Sequence, residues 1–218
     1  QGDWSSDVCS SDPTLSYLVQ DYLDRCGINC GLMGTVEYMT GNQSYSASLT
    51  TPDETVTQKY LREMVYHGCQ ACVMEVSSHA LDQERVSSIA FDSTLFTNLS
   101  HDHLDYHKDM EDYFASKLKL FKKLDSDFAQ GFSKKPFAVT NCDDSYGRRI
   151  KDEIESPCLT YGFSDSYDIS ASNISLSSQG SSFDLKTPSD TYRINTPLIG
   201  RFNIYNLLAF RSEEHTSE

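Results

Sequence analysis

The chain has 218 residues with 18 basic and 32 acidic side chains, so its formal net charge is −14. This acidic balance argues against a protein that binds a phosphate backbone, because such binding rests on Lys and Arg. No apolar run approaches the length of a membrane span, and no basic segment precedes an apolar one as in a secretory leader. We therefore expect a cytoplasmic protein of about one domain, with neither nucleic acid nor membrane as a partner.

The two ends of the sequence differ in character from the rest. Residues 1–13 contain DWSSDVCSSD and residues 211–218 read RSEEHTSE, and both resemble the translation of a sequencing adapter. We treat these ends as non-native, as one treats an expression tag. Residues 14–210 are then expected to form the native domain, and Trp4 and Cys9 are not native residues.

Helical and strand-like patterns alternate over the first 164 residues. The predicted helices have apolar residues three or four positions apart, and the predicted strands are short apolar runs. In chain order, the elements are a helix over 15–25, a strand over 28–36, a helix over 52–68, strands over 71–76 and 91–99, a helix over 110–124, a strand over 137–141 and a helix over 146–154.

Two of these helices have a predicted inner face. The helix over 52–68 follows a capping box formed by Thr51 and Glu54, with proline at the first helical position. Its expected buried residues are Val56, Tyr60, Leu61, Met64 and Val65. In the helix over 110–124 the expected buried residues are Tyr113, Phe114, Leu118, Phe121 and Leu124.

The pattern changes after Cys158. Residues 169–194 alternate polar and apolar side chains around a turn signal at Gln179 and Gly180, which predicts antiparallel strands. The whole order predicts an α/β fold, a doubly wound and mostly parallel sheet with an antiparallel β extension. In such sheets ligands bind beyond the carboxyl ends of the parallel strands.

Six cysteines remain once the ends are set aside. Cys69 and Cys72 have the CxxC spacing of redox and zinc sites, but there is no second CxxC to complete a tetrahedral zinc site. Reduced, buried structural thiols are therefore expected. The six residues are Cys26, Cys30, Cys69, Cys72, Cys142 and Cys158.

Polar side chains collect where two predicted strands end. Glu75 comes at the end of one strand, and a buried carboxylate there is costly unless it is paired or holds a cation. The second strand is followed by three histidines and two aspartates within residues 101–107. Glutamate and imidazole from neighbouring strand ends could share one magnesium ion, with water and phosphate oxygens as its other ligands.

The same histidine run allows a different interpretation. Zinc hydrolases of the lactamase type use His-x-His-x-Asp-His, and this chain has His101, His103, Asp105 and His107, with one residue too many before the last histidine. The alternation of strands and helices also differs from that of the lactamase sandwich. Metal analysis would separate the two interpretations.

Lys117 lies on the predicted helix over 110–124. From its spacing alone, we interpret it as a surface lysine whose aliphatic stem covers apolar neighbours.

Six motifs, taken in this order, resemble the central domain of the Mur ligases. The resemblance covers residues 14–210. Within the Mur ligases, the motifs are most similar to those of the MurE-type ligases, which extend UDP-N-acetylmuramoyl-L-alanyl-D-glutamate in peptidoglycan synthesis. The motifs are GTVEY at 34–38, LTTPDE at 49–54, MEVSSHAL at 74–81, FTNLSHDHLDYHKDMEDYFASK at 96–117, NCDDSYGRR at 141–149 and LIGRFNIYNLLA at 198–209.

The resemblance implies an ATP-dependent amide ligase. ATP converts the D-glutamyl carboxylate into an acyl phosphate, which the amine of a diamino acid, meso-diaminopimelate or L-lysine, then attacks. It also implies that Glu75, His103 and Lys117 form the catalytic centre. Glu75 and His103 match Mg²⁺ ligands, and Lys117 matches a carbamylated lysine that binds a second Mg²⁺.

The resemblance further assigns residues to the substrate and to the nucleotide. Asn203 and Asn206 match a pair near the adenine of ATP. The residues that match those holding the UDP-muramoyl dipeptide are Thr50, Thr51, Ser77, Gln83 and Arg85. Arg85 could fork onto a carboxylate or phosphate with its planar donors. The implied partners are therefore the UDP-muramoyl dipeptide and a diamino acid.

The chain departs from the family at the phosphate loop. GTNGKTT should precede Ser16, but Ser11, Asp12 and Pro13 stand there, so the glycine-rich turn and its lysine are missing. The family's uridine-binding and C-terminal domains also have no counterpart in the sequence. We therefore expect this polypeptide to be inactive by itself. Another Mur ligase, a folylpolyglutamate synthetase and a non-catalytic nucleotide-sugar binding module are the alternative functions.

Overall fold

The computed structural model describes residues 13–100, 106–131 and 136–214. The chain divides into two compact units. The first unit comprises residues 1–90 and 100–123, and the second comprises residues 91–99 and 124–218. Helix α4 (Met110–Ala129) contributes residues to both units.

The first unit contains a four-stranded sheet with the order β3-β2-β1-β4. Strands β1 and β4 are parallel, with Met33 opposite Met74, whereas β1–β2 and β2–β3 are antiparallel pairs. Helix α1 packs against β1 and β4. The elements are α1 (Pro13–Arg25), β1 (Cys30–Met33), β2 (Glu37–Met39), β3 (Ser44–Ser46), α2 (Glu54–Tyr66), β4 (Ala71–Met74) and α3 (Ser78–Asp82).

The second unit contains a six-stranded sheet with the order β10-β9-β8-β7-β6-β5. Strands β5 to β8 are parallel, and β8, β9 and β10 form the antiparallel extension. Helix α5 packs on β6, and α6 packs on β6, β7 and β8. The elements are β5 (Ser93–Phe96), β6 (Phe137–Asn141), α5 (Ser145–Glu153), β7 (Cys158–Gly162), β8 (Ile169–Ser177), β9 (Gly180–Lys186), β10 (Thr191–Thr196) and α6 (Arg201–Glu214).

The α/β class and the antiparallel extension are confirmed, but the described strands form two sheets rather than one. The predicted strand over 28–36 is also wrong in extent, because β1 ends at Met33. Residues 37–46 instead form the hairpin of β2 and β3, which was not predicted. Its strands have only three residues each, too few for a period-two pattern to be recognised.

The predicted start of α2 is wrong, and its predicted inner face is only partly confirmed: Met64 is buried and Tyr60 and Leu61 are partly buried. Asp53 is its N-cap, and no side chain caps the helix. Thr57 and Met64 are buried, whereas Val56 and Val65 are exposed. The apolar stripe was misplaced because the hydroxyl-bearing Thr57, rather than Val56, lies on the packed side of the helix.

The cysteines of the described residues are all free thiols. Cys30 and Cys142 are buried, as predicted, and burial raises the pKa of the Cys30 thiol to about 12. Cys26 is exposed, so the prediction of burial is wrong for that residue, and it holds only in part for Cys69, Cys72 and Cys158, which are partly buried. Thiols with raised pKa values form little thiolate near neutral pH, which fits structural rather than redox roles.

In the described part of the chain, we find no helix with the length and apolar character needed to cross a bilayer.

Candidate functional site

The candidate site of the first unit is built around Glu75, which directly follows β4. Because β1 and β4 are parallel neighbours, the segments after Met33 and Met74 leave the sheet at the same edge. Glu75 continues the pairing, since its N–H donates to the Met33 carbonyl at 2.8 Å. Its side chain is only 2% exposed. The sequence prediction that a buried carboxylate lies at this strand end is confirmed.

Among the described residues, three donor groups hold the Glu75 carboxylate. Ser16 Oγ donates to Oε1 at 3.0 Å. Thr35 donates to Oε2 twice, from its backbone N at 3.1 Å and from its Oγ1 at 2.6 Å. Buried charges persist only where such partners replace water, so these contacts let a carboxylate stand at this edge of the sheet.

Gly34 leaves room for this carboxylate. A Cβ atom built on Gly34 would lie 2.7 Å from Glu75 Oε1 and 3.1 Å from its Cδ. The first distance is shorter than Cβ atoms show in proteins and the second is unusually tight, so any larger residue would displace the carboxylate from its donors. Close packing against Glu75 therefore explains why glycine occupies this position of the GTVEY motif.

We predict that Gly34→Ala lowers the free energy of unfolding by about 1–2 kcal/mol, because the displaced carboxylate loses its hydrogen bonds. In a Glu75→Ala background the same substitution is expected to be neutral, since nothing remains to clash with the new methyl group. Urea unfolding of the parent, the two single variants and the double variant measures this coupling. An equal cost in both backgrounds would contradict the packing argument.

Thr51 joins Glu75 to the next turn of the chain. Its Oγ1 donates to the Glu75 carbonyl at 2.9 Å and accepts from the Ser77 N–H at 2.9 Å. Ser77 in turn is the N-cap of α3, where its Oγ accepts from the Ala80 N–H at 3.1 Å. The capping box predicted that Thr51 caps α2. Its hydroxyl instead fixes the strand-to-helix turn after β4.

Arg85 belongs to the same network. Its Nη1 donates to the Thr51 carbonyl at 2.9 Å, and its Nε and Nη2 donate to Gln83 Oε1 at 3.0 and 2.6 Å. Asp53 Oδ1 lies 3.4 Å from Arg85 Nε. Thr50 is connected too, since its Oγ1 lies 3.3 Å from Thr35 Oγ1. The hydrogen bonds therefore join Glu75 to the five residues that the resemblance assigned to the dipeptide.

Lys117 is fully buried in the first unit, at 0% exposure. Its Nζ lies 5.2 Å from the centre of the Tyr113 ring, within cation–π range. The Tyr113 ring in turn stacks on His107 at 4.9 Å. The interpretation of Lys117 as a surface lysine is therefore wrong, because it shares a buried helix face with Tyr113 and Phe121.

The histidine run is described only in part. His103, His101 and Asp105 lie outside the described residues, so the joint magnesium site of Glu75, His103 and Lys117 stays a prediction. The described residues contain no group of three or more His, Cys, Asp or Glu side chains arranged for a metal ion. Mg²⁺ needs fewer protein ligands, usually one or two carboxylates with water and phosphate. The buried carboxylate of Glu75 fits that requirement.

The electrostatics around the network are acidic. Burial, followed by the hydrogen bond to Glu37, raises the pKa of the Tyr17 hydroxyl to about 12, and the charge of Glu75 adds to this effect. The hydrogen bond from Lys119 lowers the pKa of the Asp82 carboxyl, and a second one from Tyr106 acts in the same direction. The charges of Glu37 and Glu75 therefore disfavour an anion at Tyr17, and the lowered pKa keeps the Asp82 carboxyl of α3 ionised near neutral pH.

Asn203 and Asn206, the residues matched to the nucleotide, lie on α6 of the second unit. Both are buried, although their side chains are polar. Asn203 Nδ2 donates to the Ile199 carbonyl at 2.9 Å, one turn earlier in the chain. The spacing of three residues places both amides on one side of the helix.

Sequence reasoning missed the residues that hold Glu75. Ser16 and Thr35 are single hydroxyl residues without a chemical signature of their own. The only signal was the position of Thr35 near the end of the strand predicted over 28–36, with Glu75 at the end of another predicted strand. Recognising it required knowing that the two strands are parallel neighbours.

Comparison with known proteins gives the same family for nearly the whole chain. Residues 13–210 match the family model described as the Mur ligase middle domain. Among curated relatives, the UDP-N-acetylmuramoyl-L-alanyl-D-glutamate--2,6-diaminopimelate ligase of Geobacter sulfurreducens is 43% identical over 196 residues, which are 90% of this chain and 38% of the relative. The enzyme of that name from Geobacillus thermodenitrificans is 41% identical, over 90% of this chain and 40% of the relative.

Solved structures support the fold. A structure of UDP-N-acetylmuramoyl-L-alanyl-D-glutamate--2,6-diaminopimelate ligase matches with a TM-score of 0.76 and 26% identity, over 94% of this chain and 41% of that one. MurF ligase from Thermotoga maritima, in complex with ADP, has the same fold with a TM-score of 0.67 and 14% identity, over 94% of this chain and 42% of that one. The chain spans about two-fifths of the length of the relatives it matches. On the match over residues 13–210, the chain belongs to the Mur ligase middle-domain family.

Proposed function

We propose that this chain is the middle domain of an ATP-dependent ligase that adds 2,6-diaminopimelate to UDP-N-acetylmuramoyl-L-alanyl-D-glutamate in cytoplasmic peptidoglycan synthesis. The names of the relatives that are 41–43% identical support the substrate and the added amino acid. The observation that carries the proposal is the hydrogen-bond network that joins Glu75 to Thr51, Ser77 and Arg85. It gathers a carboxylate, hydroxyls and a guanidinium at one edge of a sheet.

The proposed reaction makes an acyl phosphate from the D-glutamyl carboxylate and ATP. Mg²⁺, when bound, would neutralise phosphate charge as the transfer proceeds. Glu75 is proposed to hold this ion together with His103, and its buried, donor-held carboxylate supports that role. What the chain contributes is orientation, since Ser16 and Thr35 keep both carboxylate oxygens in fixed directions.

Lys117 is proposed to act as a carbamate. The added carboxylate would replace a buried ammonium by an oxygen ligand for a second Mg²⁺, a change of charge that suits a hard cation. Its complete burial supports this role, because a charged ammonium is costly to bury in the protein interior. The ring of Tyr113 then lines one side of the modified group.

Arg85 is proposed to bind a carboxylate or phosphate of the UDP-muramoyl dipeptide. Its guanidinium is already oriented by Thr51 and Gln83, so little freedom is lost when a ligand arrives. Thr50, Thr51 and Ser77 lie in the same network and are proposed to contact the dipeptide. Asn203 and Asn206 are proposed to bind the adenine of ATP from the second unit.

A chimeric ligase tests this function. In this chimera, residues 15–210 of the present chain replace the matching segment of the Geobacter sulfurreducens relative. All other segments of the chimera come from that relative. We expect phosphate release from ATP to depend on both UDP-N-acetylmuramoyl-L-alanyl-D-glutamate and 2,6-diaminopimelate. L-Lysine, D-glutamate, D-alanyl-D-alanine and a folate with L-glutamate serve as competing substrates. A folded chimera that releases phosphate only with one of these would overturn the proposal.

A further inference from the structure

We infer that Thr35 is a positioning residue for the Glu75 carboxylate, and that its hydroxyl ties this carboxylate to Thr50. The inference rests on the proposed function, in which Glu75 holds Mg²⁺ and Thr50 contacts the dipeptide. Thr35 itself is exposed and follows β1 by two residues. No motif in the sequence assigned a role to its side chain.

Thr35 makes two hydrogen bonds to the same carboxylate oxygen. The backbone N–H reaches Glu75 Oε2 at 3.1 Å, and the hydroxyl reaches it at 2.6 Å. The hydroxyl bond is the shorter one, as expected for a donor to a charged acceptor. Two donors from one residue restrict rotation of the carboxylate, while Ser16 holds the other oxygen at 3.0 Å.

The hydroxyl of Thr35 has one proton, and this fixes the direction of the next bond. An ionised carboxylate only accepts, so the proton of Thr35 Oγ1 goes to Glu75. The 3.3 Å contact with Thr50 Oγ1 is then a bond in which Thr50 donates. The order Thr50 to Thr35 to Glu75 links a residue of the proposed dipeptide site to the proposed metal ligand through one hydroxyl.

A purely structural role for this side chain has little support in the contacts. The hairpin is held by backbone bonds that Thr35 Oγ1 does not make, including Gly34 N–H to the Glu37 carbonyl at 3.1 Å and Ala47 N–H to the Val36 carbonyl at 3.1 Å. Valine has the shape of threonine and keeps the backbone N–H. Thr35→Val therefore removes the hydroxyl bonds alone.

The test uses the 218-residue chain labelled with ¹³C at glutamate carboxyl groups, with Glu75→Gln to assign the Glu75 resonance. Without metal, we expect Thr35→Val to move this resonance, and Thr35→Ser, which restores the hydroxyl, to return it to the parent position. Thr55→Val, at an exposed position of α2, is the matched control. An unmoved resonance in Thr35→Val, or an equal shift in Thr35→Ser, would overturn the inference.

A manganese titration of the same samples measures metal binding at Glu75. Mn²⁺ broadens the resonances of groups that bind it, and we expect Thr35→Val to need about tenfold more Mn²⁺ to broaden Glu75, the usual effect of losing an outer partner of a ligand. Thr35→Ser is expected to match the parent. If Mn²⁺ leaves Glu75 sharp in the parent, the proposed metal role fails, while the metal-free resonance still decides the role of Thr35. Equal broadening in Thr35→Val and the parent would contradict the positioning role.

Discussion

We expect Gly147→Ala to lower the free energy of unfolding of the chain by about 3 kcal/mol or more, the upper range for overpacked sites. A Cβ atom at Gly147 would overlap the carbonyl oxygen of Asn141 and lie 2.9 Å from its carbonyl carbon. The Phe96 ring closes the other side at 3.3 Å. Asn141 cannot retreat easily, because β6 lies between β5 and β7 and its side chain donates to the Thr97 carbonyl at 2.8 Å.

Urea unfolding of the parent and of two alanine variants measures this cost. Gly131 is the matched control, since a Cβ atom built there has no neighbour within 4 Å among the described residues, although its φ is positive at 78°. Gly131→Ala is expected to cost about 1 kcal/mol through backbone strain alone. If the free energy of unfolding falls by the same amount in both variants, close packing of α5 on β6 is not the reason for glycine at position 147.

Lys117→Met is expected to lower the rate of the chimeric ligase by roughly 10²–10³-fold, the size of effect seen when a preorganised electrostatic group is removed. Methionine fills a similar volume but cannot be carbamylated. The buried site accepts its apolar chain without a charge to desolvate, so we expect the urea midpoint to change little. Activity and unfolding are measured on the same preparation.

Lys119→Met is the matched control on the same helix. Lys119 is half exposed and pairs with Asp82 at 2.9 Å, a surface ion pair of about 0–1 kcal/mol. Its replacement is expected to leave the rate unchanged. Removing carbon dioxide and bicarbonate is expected to slow the parent chimera but not the residual rate of Lys117→Met. Activity in Lys117→Met near that of Lys119→Met would exclude a catalytic role for the buried lysine.

Four helices, α1, α2, α4 and α5, and the strands β4 to β6 were predicted from sequence, whereas the hairpin of β2 and β3 and the helices α3 and α6 were not. The strand over 137–141 matches β6, and the alternation after Cys158 predicted β8 to β10. The three-residue strands β2 and β3 carry too few side chains for any period to show. The division of the strands into two sheets depends on pairing between distant segments, which a local pattern does not contain.

Parts of the candidate site were visible in the sequence for a physical reason. A carboxylate after an apolar strand, as at Glu75, costs free energy unless it has partners, so its presence signals function. The burial of Lys117 was also predictable, because it lies four residues from both Tyr113 and Phe121 on one helix face. The signal was overlooked because lysine side chains usually lie at the solvated surface, and Lys117 was interpreted accordingly.

The partners of Glu75 could not be predicted, because they come from segments distant in sequence. Ser16 lies 59 residues from Glu75 and Thr35 lies 40 residues away. The parallel pairing of β1 with β4 brings Thr35 to Glu75, and the packing of α1 against these strands brings Ser16 there. The interpretation of residues 1–13 and 211–218 as adapter-derived, the magnesium role of His103 and the adenine role of Asn203 and Asn206 stay predictions.

The rate of the chimeric ligase with Glu75→Gln most directly tests whether the carboxylate gathered at the edge of β1 and β4 drives the chemistry. Glutamine keeps the shape of the side chain and removes its charge. We expect phosphate release to fall at least about 100-fold while the chimera stays folded by circular dichroism. A folded Glu75→Gln chimera that works at the parent rate would contradict the role given to the whole network.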